Sequence, residues 1–451
     1  MSDLNINYEL TTFGCKVNTY DSGLLEKQLQ QYGFIRIAKS ETACADADQT
    51  YVHVLNSCAV TAEATHDVIR QARRIKRDHP DCLIVVTGCS AQVDTEKIES
   101  CESVDLIVAN SHKSQLPQLL LAQLRSPLAR VHKSNIFKQA DLGAGGGIES
   151  AHTRAFLKVQ DGCNSFCTFC VIPFARGKSR SLAIEDLRQR VDELLAAGVR
   201  EIVLTGVHIG DYEFGLENLI EDILLRTRVP RLRLTSLEPV EISERLIEMF
   251  TDPRLCPHFH MSIQSASTKI LARMKRKYAA DDVTLSLHNI SKRIPGAFVG
   301  MDVIVGFPGE SDDEFAETYA RLNETPWTRI HVFPYSERPG TYATRLDGKL
   351  ERSVIVRRAQ RLRELSQKRY AAKASEQIGS IKKALILKNG KALARDYWCI
   401  ELDKQTGGRK PENLQLYGRE VALRVTAFSS KNSEGEPILM GEIIGYPSAT
   451  S

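Results

Sequence analysis

The sequence predicts an α/β multidomain protein. An N-terminal parallel α/β sheet spans residues 1–128, a linker 129–150, a central open (β/α)6 barrel 151–375, and a small all-β, OB-like barrel 376–451. Three observations carry this reading. Strand and helix patterns alternate up to about residue 128 and again from 151 to about 345, as expected for parallel sheets joined by crossover helices. The run Gly143-Ala144-Gly145-Gly146-Gly147 separates the two alternating stretches as a flexible connection. From about Ile381, helical periodicity gives way to short strands with turn residues between them.

In the first part, Tyr8–Thr12 reads as a strand leading into a loop with Cys15. Asp21–Tyr32 reads as a helix with Leu24, Leu25 and Leu29 on one face and Gly33 as its stop. Tyr51–Leu55 is a strand running into Cys58, Thr61 caps a helix bearing Val68, Ile69, Ala72 and Ile75, and Leu83–Val86 is a strand running into Gly88-Cys89. In the second part, six strands are expected at Arg154–Val159, Glu201–Leu204, Arg231–Thr235, Phe259–Ile263, Phe298–Val305 and Arg329–Phe333. Helices such as Ile184–Ala197 and Asp312–Asn323 separate them, and six units suit an open barrel rather than a closed eight-fold one. Residues 351–374 read as a basic helix, with eight Lys+Arg against two Glu. The last strands are expected at Ala384–Leu387, Arg395–Leu402, Glu420–Phe428 and Ile438–Ile444.

Hydrophobic residues at 42% and charged residues at 26% leave enough apolar material for real cores. The longest apolar run, Ile294 to Phe307, is too short to span a bilayer and contains Asp302. The N-terminal MSDLNINYEL lacks the basic and apolar regions of a signal peptide, so a cytoplasmic enzyme with no membrane partner is expected. A net charge of +4 excludes a histone-like polycation but permits a localised nucleic-acid surface. Eleven cysteines are many for such a chain and odd in number for a disulfide framework, which directs attention to metal or catalysis.

Cys163-Asn164-Ser165-Phe166-Cys167-Thr168-Phe169-Cys170 has C-x3-C-x2-C spacing just after the first barrel strand, on the face where such barrels keep their chemistry. Three thiolates can hold three irons of a 4Fe–4S cube and leave the fourth open to the amino and carboxylate groups of S-adenosylmethionine. Reduction then yields a 5′-deoxyadenosyl radical. A zinc knuckle would want a fourth ligand nearby, and none lies there. Cys15, Cys58 and Cys89 each fall just beyond a strand, so a parallel sheet would bring their loops to one edge. They read either as a metal site or as three ordinary core cysteines. Cys44, Cys82, Cys101, Cys256 and Cys399 show no matching partners; Cys82 and Cys399 read as packing residues.

With these residues in view, the chain resembles the radical S-adenosylmethionine methylthiotransferases over essentially its whole length. The matching blocks are TTFGCKVNTYDS, VLNSCAVTAEA, VTGCSAQ, RAFLKVQDGCNSFCTFCVIPFARGKSRS, LTGVHIG, LTSLEP, HFHMSIQSAS, MDVIVGFPGE and HVFPYSERPGTYA. The resemblance implies a methylthiotransferase N-terminal domain, a radical SAM core and a C-terminal TRAM domain that helps hold RNA. It implies two 4Fe–4S clusters, one on Cys163, Cys167 and Cys170 and a second, carrying the sulfur to be transferred, on Cys15, Cys58 and Cys89. It also implies Phe169 near the adenine of S-adenosylmethionine, Gly206 by its methionine end, Glu238 and Gln264 as ribose or methionine contacts, and Gly300 to Gly309 as the adenine-side loop.

Within the family, Gly14-Cys15-Lys16-Val17-Asn18 and Ile172-Pro173-Phe174-Ala175-Arg176-Gly177 look like the branch acting on N6-threonylcarbamoyladenosine in tRNA. That branch commonly has Tyr where this chain has Phe174, and Ser57 replaces the usual Thr. The implied reaction inserts sulfur and methyl at C2 of that adenosine, 3′ of the anticodon. It consumes two S-adenosylmethionines and draws on a flavodoxin- or ferredoxin-type electron donor and a sulfur donor. Isopentenyladenosine in tRNA and a ribosomal-protein aspartate are the alternative targets; a catalytically silent iron–sulfur protein that only binds RNA is the alternative from another class. Phosphate contacts are expected from Arg176, Lys178, Arg180 and from Arg357, Arg358, Arg361 and Arg363, whose helix reads alternatively as a solvated face; Tyr397, Trp398 and Phe428 are candidates for base stacking, with core packing expected of at least one.

Overall fold

The structure is a computed structural model that describes residues 6–37, 50–126, 128–139, 153–403, 416–432 and 435–445. Its first sheet is wholly parallel. Strands β1 (Ile6–Thr12), β2 (Ile35–Arg36), β3 (Thr50–Ser57), β4 (Leu83–Gly88), β5 (Leu106–Ala109) and β6 (Val131–His132) lie in the order β2-β1-β3-β4-β5-β6. Both faces are covered. Val52, Val54 and Val85 join one core with Leu25 and Leu29, while Leu55, Ile84 and Val86 join another with Val68, Ala72 and Ile75. Burial on two sides explains why these strands read as near-continuous apolar runs. Within the stretch read as linker, Val131–His132 extends the sheet edge; the glycines of 143–147 lie outside the described residues.

The first helix spans Lys16–Gln31, five residues earlier than its apolar stripe suggests. Its extra turn has no side-chain cap; instead Asn18 Nδ2 donates to the carbonyls of Phe13 and Ser57 at 2.8 Å each. Contact with a neighbouring strand, rather than a local signal, starts this helix.

The central region holds β7 (Ala155–Asp161), β8 (Arg180–Ser181), β9 (Ile202–Gly206), β10 (Leu232–Leu234), β11 (His258–Gln264), β12 (Phe298–Val305) and β13 (Arg329–Pro334). β7, β9 and β10 pair in parallel, as do β11, β12 and β13, and the two groups meet through parallel bridges Leu232↔Leu255 and Leu237↔Met261. The result is the open six-strand arrangement expected, with β8 a short antiparallel return on β7. Alternation is strict: Leu157, Val159, Leu232, Leu234, Phe259, Met261, Val299 and Met301 enter the core under the helices. Lys158, Arg231, Arg233, His260 and Asp302, at intervening positions, take the concave face.

The last region is a closed barrel of β14 (Ile381–Ile386), β15 (Lys391–Ala394), β16 (Cys399–Leu402), β17 (Glu420–Lys431) and β18 (Pro437–Gly445), ordered β14-β15-β16-β18-β17. The expected single strand Arg395–Leu402 is corrected here. Its first half is the turn between β15 and β16, where Tyr397 takes a left-handed φ of 71°.

That turn docks the small barrel onto the central one. Glu201, fully buried, holds Arg231 and Arg233 at 2.7 and 2.9 Å, and the free donors of both guanidiniums reach the carbonyls of Leu393, Ala394 and Arg395. Burial pushes the Glu201 carboxyl up, but Arg233 and Arg231 outweigh it and hold it well below the usual carboxylate range. Such a depressed group contributes stability above its unfolded pKa, and that contribution fades as pH falls below about 4. Glu201→Gln is therefore expected to cost about 3–5 kcal/mol in denaturant unfolding at pH 7, by leaving the buried Arg233 without a carboxylate while Arg231 keeps only Glu420, and to flatten the acid limb of stability against pH.

Candidate active site

Cys15, Cys58 and Cys89 stand at the C-terminal ends of β1, β3 and β4, as the topology requires. Cys15 is exposed and opens the first helix; Cys58 and Cys89 are buried. Gly14 shows how close they come: with φ 89°, a Cβ placed on it would lie 2.6 Å from Cys58 Sγ. Gly88, with φ 94°, is pressed equally hard against Ser57. Burial pushes the Cys58 thiol up to about 12, the neighbouring Cys89 and Cys15 add to this, and Arg176 offsets only part of it. Among the described residues, three thiols and no histidine or carboxylate at one sheet edge are the donor set that an iron–sulfur cluster takes. Gly14→Ala is expected to lower the iron bound by the reconstituted protein, since its Cβ would displace Cys58; iron and sulfide analysis checks this.

Cys163, Cys167 and Cys170 line a cleft of about 150 Å3 at the mouth of the central barrel, with Phe169, His208, Glu238, Gln264 and Arg276 around them. Burial pushes Cys170 up to about 12. Cys163 goes the other way: burial raises its thiol, but hydrogen bonds from His208 and Ser165 outweigh it. Arg276 donates to Cys167 Sγ at 3.2 Å and pairs with Glu238 at 2.7 Å. His208 lies 2.5 Å from Glu241 and 3.5 Å from Glu238. Gln264 ends β11 in a left-handed φ of 60°, a strained conformation that marks the rim of a site more often than ordinary packing. Phe169 packs edge-on against Phe307. A Cβ on Gly206 would meet Gln160 O at 2.9 Å and Ile209 at 3.0 Å, so this glycine lets β9 close against β7. His208 and Arg276 escaped the reading of the sequence, because neither sits in a spaced pattern.

Between the two trios lies a buried ionic junction. Lys158 on β7 bonds Asp21 at 2.8 Å and Asp161 at 3.0 Å; Lys113 reaches Asp21 at 3.1 Å. Arg176 holds Asp161 and Asp21 at 3.0 Å each, and Asn18 Oδ1 at 2.5 Å. The helix Ile172–Arg176, which follows the second trio, also packs Val171 and Ala175 against Cys89 and Ala59 beside the first. Three cations on two carboxylates leave one positive charge in excess, next to thiols that would bind metal as anions.

Arg176 is thus corrected from a phosphate contact to a buried strut, 3% exposed. Arg180 turns inward to the carbonyls of Gln139 and Arg176. On the helix Arg352–Ser375, Arg358 is buried against Glu310 and Asp312, while Arg357, Arg361 and Arg363 remain at the surface, Arg361 over Phe315 and Tyr319 and Arg363 bonding Val332 O. Tyr397 stacks on His258 at 3.8 Å and Trp398 packs edge-on to Phe298, so both serve the docking of the small barrel rather than bases. Phe428 is partly exposed. Cys82, Cys101 and Cys256 are buried and Cys399 half-buried; Cys44 lies outside the described residues. Among the described residues, no helix is long and apolar enough to cross a membrane.

Residues 157–322 match the Radical SAM superfamily, and residues 7–109 match a family described as uncharacterized protein family UPF0004. The chain is 34% identical over 396 residues to "Threonylcarbamoyladenosine tRNA methylthiotransferase MtaB" of Aquifex aeolicus, covering 86% of this chain and 95% of that one. It is 30% identical over 388 residues to "tRNA-2-methylthio-N(6)-dimethylallyladenosine synthase" of Syntrophus aciditrophicus, covering 84% and 83%. The fold resembles that of the radical S-adenosylmethionine methyltransferase TsrM from Kitasatospora setae, with TM-score 0.56 and 13% identity over 73% of each chain. The two cysteine sites, the strut between them and these likenesses lead to one conclusion: the chain belongs to the radical SAM tRNA methylthiotransferases, transferases whose cofactors are S-adenosylmethionine and two 4Fe–4S clusters.

Proposed function

We propose that this enzyme methylthiolates C2 of N6-threonylcarbamoyladenosine, 3′ of the anticodon, giving 2-methylthio-N6-threonylcarbamoyladenosine. Cys163, Cys167 and Cys170 hold one cluster at the barrel mouth, and Cys15, Cys58 and Cys89 hold the other at the sheet edge. Bound there, these groups supply the one-electron chemistry that an aromatic C2–H demands, since no acid or base can remove that hydrogen. Phe169 offers a face for the adenine of S-adenosylmethionine, and Glu238 and Gln264 offer polar atoms for its ribose and methionine parts, with Gly206 keeping the strand ends close. Arg276 fixes the orientation of Glu238 through their ion pair. Arg176, Asp161, Asp21 and Lys158 hold the two trios at a set separation, so that the substrate can face both. The small barrel, read as a TRAM domain, supports the RNA. An external electron donor of flavodoxin or ferredoxin type and a sulfur donor complete the cycle.

The single observation that carries the choice of nucleoside is the polar concave face of the barrel. His260 pairs with Asp302 at 2.8 Å beside His331, and Lys16, next to Cys15, shares this space. Burial, with Arg154 and Arg233, pushes the Lys16 ammonium below its ordinary value, while Tyr397 and Asp302 oppose this. A threonylcarbamoyl group, with its carboxylate and hydroxyl, suits such a lining; an isopentenyl group would strand these polar side chains against hydrocarbon. Nucleoside analysis of tRNA from a strain lacking the gene tests the reading. Loss of 2-methylthio-N6-threonylcarbamoyladenosine is expected. Its persistence, with loss of the methylthiolated isopentenyladenosine instead, would transfer the assignment to that substrate.

A further inference from the structure

Three phenylalanines from three separate segments meet at the surface between the two cysteine trios. Phe166 lies in the loop between Cys163 and Cys167, Phe174 on the short helix Ile172–Arg176, and Phe137 on the turn Ile136–Lys138. Each ring touches the other two. Phe137 and Phe166 are near-parallel with centroids 6.4 Å apart, and Phe174 stands edge-on to both at 6.0 and 6.3 Å. Packing of this quality ordinarily belongs to a core. Yet Phe166 is 42% exposed and Phe174 41%.

The backbone is held to keep them there. Phe166 has a left-handed φ of 45°, a strained conformation for a residue with a Cβ. Gly177, with φ 82°, lets the barrel segment close on the turn, since a Cβ there would lie 2.7 Å from Ile136 O; the same residue's carbonyl accepts from Cys163 N at 3.1 Å. The patch is flanked by the exposed Lys138 and Lys178. Aromatic faces with interleaved cations are the usual platform for unpaired nucleobases, whereas a purely apolar partner would leave the lysines unused.

We propose that the Phe137–Phe166–Phe174 patch is a stacking platform for an unpaired base of the tRNA loop next to the adenosine being modified, with Lys138 and Lys178 on the adjoining phosphates. This rests on tRNA as the substrate and deepens that reading; it does not depend on which group the adenosine carries at N6. The platform would hold the loop open so that the neighbouring adenosine can leave the stack and reach the space between the trios.

The test uses the full, anaerobically reconstituted chain and anticodon stem-loop RNAs with 2-aminopurine at each loop position in turn. Wild type is expected to quench the probe at a position flanking the target adenosine. Phe174→Leu and Phe137→Leu should lose that quenching and bind about tenfold more weakly, while Phe174→Tyr and Phe174→Trp should retain both, because a flat ring rather than apolar bulk is required. Unchanged iron content in the leucine variants separates this from misfolding. Absence of quenching at every loop position with wild type, or leucine variants that bind the loop as wild type does, would overturn the proposal. Leucine variants with normal RNA binding but slower cluster reduction by flavodoxin would also overturn it, and would make the patch a docking site for the electron donor. A wrong assignment of the nucleoside would show instead in the tRNA nucleoside analysis, with the quenching intact.

Discussion

Replacing Cys163, Cys167 and Cys170 together by alanine is expected to leave about half of roughly eight irons per chain and to abolish reductive cleavage of S-adenosylmethionine. The reason is local. The three sulfurs line one cleft with Glu238, Gln264 and Arg276, while the other trio sits across the Arg176 junction on a different sheet. Alanine keeps the loop's backbone, including the bond from Cys163 N to Gly177 O, so the remaining cluster should still assemble. Iron and sulfide analysis with product chromatography reads both effects. A full iron complement in this variant would sink the assignment of these residues.

The complementary variant, Cys15→Ala with Cys58→Ala and Cys89→Ala, is expected to lose the other half of the iron and all methylthiolated product, while still cleaving S-adenosylmethionine. Cys58 and Cys89 are buried, but a thiol-to-methyl change is small, and Gly14 and Gly88 already crowd the site, so collapse rather than unfolding should follow. The two losses should be independent in kind: one variant makes no radical, the other makes it with no sulfur to transfer. Product formed at the wild-type rate would show that these three cysteines are bystanders.

Much of the site could be read before the fold. C-x3-C-x2-C is a local spacing in one loop, so its chemistry needs no tertiary information. Cys15, Cys58 and Cys89 could be assigned to strand ends, because a parallel sheet puts all such ends on one edge; that Gly14 is pressed onto Cys58 and Gly88 onto Ser57 could not. Charge was the least legible property. Arg176 and Arg358 look in sequence like members of a basic RNA surface, yet each is buried on carboxylates that lie far away along the chain, Asp21 at 155 residues and Glu310 at 48. Tyr397 and Trp398 look like exposed aromatics of a nucleic-acid barrel, yet they fill the seam with the central domain.

The sequence by itself determined the three-part architecture, the main strands of each part and the cysteine loops at their ends, but not the short strands Ile35–Arg36, Leu106–Ala109, Val131–His132, Arg180–Ser181 and Lys391–Ala394. What it determined follows from periods of 2 and 3.6 and from short spacings, which act within a few residues. Only the tertiary structure decided which charges are solvated and which are struts, where His208 and Arg276 meet the cysteine cleft, and that Phe137, Phe166 and Phe174 share one exposed patch. Such pairings depend on which surfaces face each other after folding. A side chain's partner across a domain seam leaves no periodic trace in the chain that carries it.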